Sequence, residues 1–210
     1  APDEDPPTRL AVTLNRSGDR SAYGNLTAVL VRDGQPDLVV GLAQGRRQTG
    51  TFQIVEASVA DIHAAYKAGT LTARGLTRQY LDRIDAYDKR GPLLNAVITV
   101  NSRALDEADR LDVQFKRSGL VGPLHGIPVL VKDEIDTAGM PTTLGTLVFK
   151  DYRPPKDAFV IERLRRAGAI ILGKTTLSEF AAGDSYGSMF GATRNPYDLE
   201  RTAGGSSGGS

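Results

Sequence analysis

The chain has 210 residues, 40% of them apolar, with 26 basic and 25 acidic side chains and a formal net charge of +1. That balance gives no support for a nucleic-acid partner, and the lack of cysteine excludes disulfides, thiol catalysis and zinc–thiolate sites from these residues. Two histidines are too few for a multi-histidine metal site, and no apolar run approaches the roughly 20 residues that cross a bilayer.

The first part of the chain is predicted to be a β-rich extension. Residues 1–8 are proline-rich and acidic, which is typical of an extended or disordered tail. Residues 9–53 favour β-strands, and the apolar runs 26–31 and 38–42 flank Asp33-Gly34, a hairpin-turn dipeptide. We therefore predict a division between residues 1–53 and a larger domain over residues 54–210.

The chain starts at Ala1 without an apolar leader. Such a start is typical of a mature exported protein that has lost its signal peptide, and also of a trimmed sequence. It therefore favours an extracytoplasmic or secreted protein, with the cytoplasm as the alternative location.

After residue 56, apolar residues recur mainly at the three- and four-residue spacing of a helix. Each predicted helix follows a capping residue, and Ser58 is followed three residues later by Asp61, which resembles a capping box. The predicted helices cover residues 58–69, 72–91, 102–119 and 157–168, with Ser58, Thr72, Ser102 and Asp157 as their caps.

Short apolar strands are predicted between these helices, at residues 94–100, 127–131 and 169–172. Strands that alternate with helices of about a dozen residues indicate an α/β architecture with a largely parallel core.

Lys132 ends one of these apolar strands. Burial disfavours an ammonium group unless it is neutralised or paired. Alternation places Lys132 on the face opposite Val129 and Val131, in a strand whose sequence indicates burial on both sides. Asp133 and Glu134 would favour the charged form if they approached it. A solvated lysine at a strand end is the alternative, and the apolar context favours a lysine that accepts a proton.

A glycine-serine loop, Gly204-Gly-Ser206-Ser207-Gly-Gly-Ser210, lies about seventy residues downstream. Adjacent serines on a glycine-flanked loop can bring hydroxyl and backbone N–H groups close to a ligand. Together with Lys132, the loop suggests Ser-Lys acyl-transfer chemistry, a known alternative to the histidine triad. A flexible linker is the alternative on composition alone.

Three ordered segments carry a family resemblance. Residues 123–133 read PLHGIPVLVKD, residues 167–180 read AGAIILGKTTLSEF, and residues 194–210 read RNPYDLERTAGGSSGGS. Together they closely resemble the signature of the amidase signature family of serine hydrolases, over about residues 54–210. Because all three motifs occur in the order found in the family, the Gly204–Ser210 segment is interpreted as a functional loop and not as a linker. The implied fold is a single mixed, largely parallel sheet wrapped by helices, with its C-terminal half missing here.

The resemblance also implies roles for individual residues. Lys132 matches the family's catalytic lysine, and Ser206 matches its bridging serine, whose cis peptide bond points the hydroxyl between lysine and nucleophile. No metal or organic cofactor is implied. The residues implied to shape the loop or line the site are Ser207, Gly204, Gly205 and Met189.

The implied activity is hydrolysis of a small-molecule or peptide amide through a serine acyl-enzyme. In the family, the nucleophilic serine and the oxyanion-hole glycines follow the bridging serine, so the resemblance puts them beyond residue 210. We therefore expect this chain alone to be nearly inactive and to need a C-terminal half or a partner chain. The sequence indicates neither the particular amide nor the oligomeric state.

Two other functions remain open on the sequence. One is the glutamine-hydrolysing subunit of a tRNA-dependent amidotransferase, which would need a cytosolic location and partner subunits. The other is a non-catalytic, amidase-like binding remnant.

Residues 168–175, GAIILGKT, match the P-loop pattern letter for letter. A P-loop requires a strand before its first glycine and a helix that starts at its lysine. Here a helix is predicted before Gly168, and the intervening residues form an apolar strand. Nucleotide binding is therefore disfavoured, and Lys174 is interpreted as structural.

Overall fold

The computed structural model describes residues 57–210 and, before them, the backbone of three strands at residues 9–15, 24–31 and 38–45. Two compact units divide the chain, Ala1–Ala64 and Ala65–Ser210. The domain boundary predicted at residue 53 stays a prediction, because residues 46–56 lie outside the described part of the chain.

The first unit contains an antiparallel sheet of three strands in the order β1-β2-β3. Its register pairs Leu10 with Leu30 and Leu26 with Ala43. The strands predicted at residues 26–31 and 38–42 are therefore confirmed, whereas the Asp33-Gly34 turn and residues 1–8 lie outside the described residues. The strands are β1 (Arg9–Asn15), β2 (Gly24–Val31) and β3 (Leu38–Gly45).

Four α-helices occupy the regions in which helices were predicted. Thr72 caps the second helix, as predicted, because its side chain accepts a hydrogen bond from the backbone N–H of Gly75. After that helix the chain continues as a π-helix, Ile84–Lys89. The helices are α1 (Val59–Ala68), α2 (Ala73–Arg83), α3 (Ala104–Ser118) and α4 (Phe159–Arg166).

Two predicted caps are wrong. Helix α3 begins after Arg103 rather than Ser102, because the Arg103 N–H donates to the side-chain oxygen of Asn101, 2.9 Å away. Helix α4 begins after Ala158, without a side-chain cap. The Asp157 carboxylate instead accepts from the N–H of Ala138 at 2.7 Å and pairs with Arg165. Its oxygens are therefore not bonded to the first N–H groups of α4, as a cap would require.

The second unit is built on a mixed sheet in the order β4-β6-β5. Strand β4 (Val97–Val100) pairs antiparallel with β6 (Ile170–Thr175), and β5 (Pro128–Lys132) pairs parallel with it. Helices α3 and α4 contact β6, and α2 contacts β5. The predicted α/β class with a mixed sheet and flanking helices is confirmed.

An apolar cluster of the core lies on one face of this sheet. Every residue of β6 is buried, and Ile171 packs with Val131, Met140 and Ile161 in one apolar cluster. Strand β5 was predicted to be buried on both faces, which is wrong: the side chain of Leu130 is 39% exposed. In the sheet formed by the described residues, β5 lies at the edge and has a neighbouring strand on one side only.

Short segments of regular structure follow β6. They form two small antiparallel ladders, β7 with β8 and β9 with β10. None of the helices in the described ranges is long and apolar enough to cross a membrane. These four strands are β7 (Tyr186–Gly187), β8 (Gly191–Ala192), β9 (Arg194–Asn195) and β10 (Asp198–Thr202).

Tyr66 provides a pH prediction for the stability of this unit. Its hydroxyl donates to the carbonyl oxygen of Gly126 at 2.9 Å, and burial raises its pKa well above the ordinary value of 10.0, with the Asp112 charge adding to the effect. Above about pH 10 the unfolded chain loses this proton while the native state keeps it, so the free energy of unfolding falls as pH rises.

Tyr66→Phe should make the free energy of unfolding fall less steeply with pH. The slope should decrease by about 1.4 kcal/mol per pH unit, the contribution of one titrating proton. Urea denaturation between pH 9 and pH 11.5 measures it. Tyr152→Phe, at a ring that is 46% exposed, controls for the loss of any one tyrosine hydroxyl. A parent and a Tyr66→Phe variant with equal slopes would contradict the prediction.

Candidate active site

Lys132 is the last residue of β5, where the parallel pairing with β6 ends at Thr175. The Lys132 carbonyl accepts from the N–H of Ile135 at 3.0 Å, which turns the chain immediately after the strand. Because side chains alternate along a strand, Lys132 points away from the face on which Val131 joins the apolar core. The ammonium group therefore lies on the more open face of the sheet.

The glycine-serine loop is fastened to the segment that follows β6. The N–H of Ser178 donates to the Ser206 carbonyl at 2.9 Å, and the N–H of Gly209 donates to the Thr176 carbonyl at 3.1 Å. The peptide bond between Gly205 and Ser206 is cis. These bonds hold the loop beside the carboxyl end of β5, where Lys132 lies.

Two glycines of the loop allow this close approach. A Cβ atom at Gly205 would overlap Ser178 Oγ and the Gly183 carbonyl oxygen, and one at Gly209 would overlap the Ala96 carbonyl oxygen. Glycine is the one residue that permits such contacts between backbone and neighbouring atoms.

The loop and the strand end meet at one polar contact. Lys132 Nζ donates to Ser206 Oγ at 2.8 Å, and the same ammonium group pairs with Glu134 Oε1 at 3.2 Å. The Lys132 side chain is 16% exposed. Of the two carboxylates considered from the sequence, Glu134 approaches Lys132, whereas Asp133 pairs with Lys174 on the other face of the sheet.

The residues predicted to shape the loop or line the site have the following positions in the structure. Gly204 and Gly205 lead into Ser206, and Gly204 has a left-handed φ of 80°. Ser207 is exposed, and its carbonyl accepts from the Ser210 N–H at 3.1 Å. The N–H of Met189 donates to the Gly145 carbonyl at 3.2 Å, which places its backbone against another loop.

Sequence reasoning missed Ser178. Its backbone N–H holds the Ser206 carbonyl, and its side-chain hydroxyl donates to the Gly183 carbonyl at 2.6 Å. Ser178 lies inside a family-like segment, but no local pattern assigns it to the serine loop almost thirty residues further on. Only the fold brings the two together.

The P-loop interpretation of residues 168–175 does not fit the structure. Residues Ile170–Thr175 are a buried strand, whose N–H groups pair with neighbouring strands rather than facing a phosphate. Lys174 is fully buried against protein atoms. Among residues 57–210, no cluster of three or more His, Asp or Glu side chains could hold a metal ion.

Comparison with known proteins gives two groups of relatives. A glutamyl-tRNA(Gln) amidotransferase subunit from Methanosarcina barkeri is 46% identical over 154 residues, which are 73% of this chain and 30% of that protein. The protein of the same name from Acidothermus cellulolyticus is 42% identical over 159 residues, 75% of this chain and 31% of the relative. The chain thus spans under a third of the length of these curated relatives.

Among solved structures, the native peptide amidase from Stenotrophomonas maltophilia matches with a TM-score of 0.71 and 46% identity, over 74% of this chain and 33% of that one. An amidase family protein from Bacillus anthracis matches with a TM-score of 0.69 and 38% identity, over 74% and 32%. The profile of the Amidase family covers residues 75–210. On these matches, the chain belongs to the Amidase family, whose relatives and structural neighbours here are amidase signature enzymes.

Proposed function

We propose that these residues supply the proton-accepting part of an amidase that hydrolyses a carboxamide through a serine acyl-enzyme. The observation that carries the proposal is the 2.8 Å contact between Lys132 Nζ and Ser206 Oγ. An amine and a hydroxyl at that distance can pass a proton directly, as general-base catalysis requires.

The proposed step requires Lys132 as the neutral amine, so the ammonium group that pairs with Glu134 at 3.2 Å must first give up a proton. Its Nζ takes the proton of Ser206 Oγ while Ser206 takes the proton of the nucleophilic serine, whose oxygen then bonds to the amide carbonyl carbon. The same relay returns the proton to the leaving nitrogen as the C–N bond breaks. Water then hydrolyses the acyl-enzyme, releasing the carboxylic acid.

We propose that the nucleophilic serine of the whole protein lies outside the residues of the candidate site. The family resemblance puts it after the bridging serine and beyond residue 210, which agrees with a chain that spans 30% of its curated relative. The proposed activity therefore belongs to the whole protein.

A fluorophosphonate probe tests that assignment on the 210 residues alone. Such probes phosphonylate an activated serine nucleophile, so we expect less than about a tenth of the chain to be labelled. Mass spectrometry of the intact chain measures the labelled fraction. Stoichiometric labelling of any of its serines would show that the nucleophile is already present.

Two substrates are candidates for the whole protein. The curated relatives described above are named as glutamyl-tRNA(Gln) amidotransferase subunits, and this favours glutamine as the amide, with partner subunits that use the ammonia. The solved peptide amidase of similar identity favours a peptide amide instead. The curated names give the glutamine proposal the broader support.

Ammonia release by the protein purified from its native source separates these candidates. We expect ammonia from glutamine, with faster release when partner subunits and charged tRNA are added. Release from C-terminal peptide amides and not from glutamine would favour the peptide amidase. Release from neither, with Lys132→Ala behaving as the parent in every assay, would favour the non-catalytic remnant.

A further inference from the structure

A buried ion pair lies on the face of the sheet behind Lys132. Asp133 Oδ1 and Lys174 Nζ are 3.6 Å apart, and both side chains are completely inaccessible to solvent. Asp133 follows Lys132 directly, and Lys174 is on the adjacent strand β6, in register with Val131. The pair thus joins the end of the lysine strand to the central strand.

Three consecutive residues of the loop that follows β5, Pro141, Thr142 and Thr143, contact the two charges. Lys174 Nζ donates to the Pro141 carbonyl at 3.1 Å and to Thr142 Oγ1 at 3.2 Å. Asp133 Oδ2 accepts from the N–H of Thr143 at 2.8 Å and from its hydroxyl at 2.7 Å. Each charge is therefore fixed by the loop as well as by the other charge.

Stability alone is a weak reason for such a pair. Burial lowers the pKa of Lys174, and the Asp133 charge opposes that shift, so the two effects work against each other. Replacing a buried ion pair by apolar side chains of similar volume is often neutral or stabilising, whereas removing one partner is strongly destabilising. A role in fixing geometry accounts for the charges better.

The geometry that the pair fixes is that of the backbone around Lys132. The N–H of Asp133 donates to the Thr175 carbonyl at 3.1 Å, extending the strand pairing by one residue. The N–H of Ile135 then donates to the Lys132 carbonyl at 3.0 Å and closes the turn. With the Asp133 side chain anchored on one face, alternation directs the Lys132 side chain to the other, toward Ser206.

We propose that Asp133 and Lys174 are positioning residues that hold Lys132 Nζ within hydrogen-bond reach of Ser206 Oγ. This inference rests on the proposed function, because it assigns a purpose to the position of the proposed base. A misplacement of about 1 Å in a catalytic group can cost about a hundredfold in rate, so anchoring of this kind has a measurable consequence.

The test uses the complete protein from its source and the double variant Asp133→Asn/Lys174→Met. The double variant removes both charges at nearly constant volume, so no buried charge is left unpaired. We expect its Tm to recover most of the loss seen with Asp133→Asn alone. We also expect its kcat for amide hydrolysis to stay at least about tenfold below the parent, with KM within about twofold. A double variant with the parent kcat would overturn the proposal.

A second variant keeps the proposal falsifiable if the double variant does not fold. Thr143→Val preserves both charges and the side-chain shape but removes the hydroxyl that donates to Asp133 and accepts from the N–H of Gly145. We expect a folded protein with kcat lowered about threefold or more and KM unchanged. A folded Thr143→Val protein with the parent kcat would also count against the positioning role.

The matched control is the exposed ion pair Glu162–Arg166 on α4, 3.2 Å apart. Glu162→Gln/Arg166→Met removes an acid–base pair at the surface by equivalent substitutions and should leave kcat at the parent value. Lys132→Ala separates the two hypotheses. If it retains activity, the proposed function fails; if it is inactive while the Asp133/Lys174 double variant is fully active, only the positioning role fails.

Discussion

Lys132→Ala and Ser206→Ala should each lower kcat for amide hydrolysis by about 10³-fold or more in the complete protein, with little change in KM. The reason is that each removes one member of a proton relay that acts as a unit. The losses in kcat should not add in the double variant. Either substitution alone already stops proton transfer, so the second has little further effect on kcat. Steady-state kinetics on the two single variants and the double variant measure this.

Lys132→Arg distinguishes a proton acceptor from a fixed positive charge. Arginine keeps the charge and can donate to Ser206, but it does not lose its proton in proteins. We therefore expect Lys132→Arg to be as inactive as Lys132→Ala. Lys116→Ala, at an exposed lysine of α3, is the matched control and should behave as the parent. An active Lys132→Arg variant would contradict the general-base role.

Gly205→Ala has the second largest expected effect. The new methyl group would overlap Ser178 Oγ and the Gly183 carbonyl oxygen, so the serine loop must move away from the segment to which it is bonded. We expect a loss of about 1–3 kcal/mol in the free energy of unfolding from overpacking. A shift of about 1 Å in Ser206 would also lower kcat about a hundredfold.

Gly204→Ala is the matched comparison for this variant. A Cβ there meets no atom within 4 Å, but the residue has a φ of 80°. Its cost is therefore that of the backbone conformation alone, about 1 kcal/mol. Urea denaturation and kinetics on both variants measure the difference. Equal losses of kcat would mean that close packing at Gly205 does not position Ser206.

Local signals in the sequence predicted most of the secondary structure of the second unit. Thr72 caps α2 as its spacing indicates, because a side-chain cap needs only neighbouring N–H groups. Asp157 failed as a cap because the N–H of Ala138, 19 residues earlier, and the Arg165 side chain, two turns along α4, take its oxygens. The burial of β5 was overestimated for a similar reason, since an apolar run does not reveal which strands lie at an edge.

The sequence by itself was enough to identify the main residues of the candidate site. Lys132 at the end of an apolar run and the Gly204–Ser210 loop stand out by composition, and their order along the chain carries the family resemblance. The tertiary structure alone decided that Lys132 Nζ meets Ser206 Oγ, that Glu134 approaches the amine, and that Asp133 turns to Lys174. The sequence cannot predict these contacts, because one joins residues 74 positions apart and the others depend on which of two adjacent carboxylates faces the amine. The alternation of side chains, the register of β5 with β6 and the bonds of the loop to Ser178 and Thr176 determine which atoms meet.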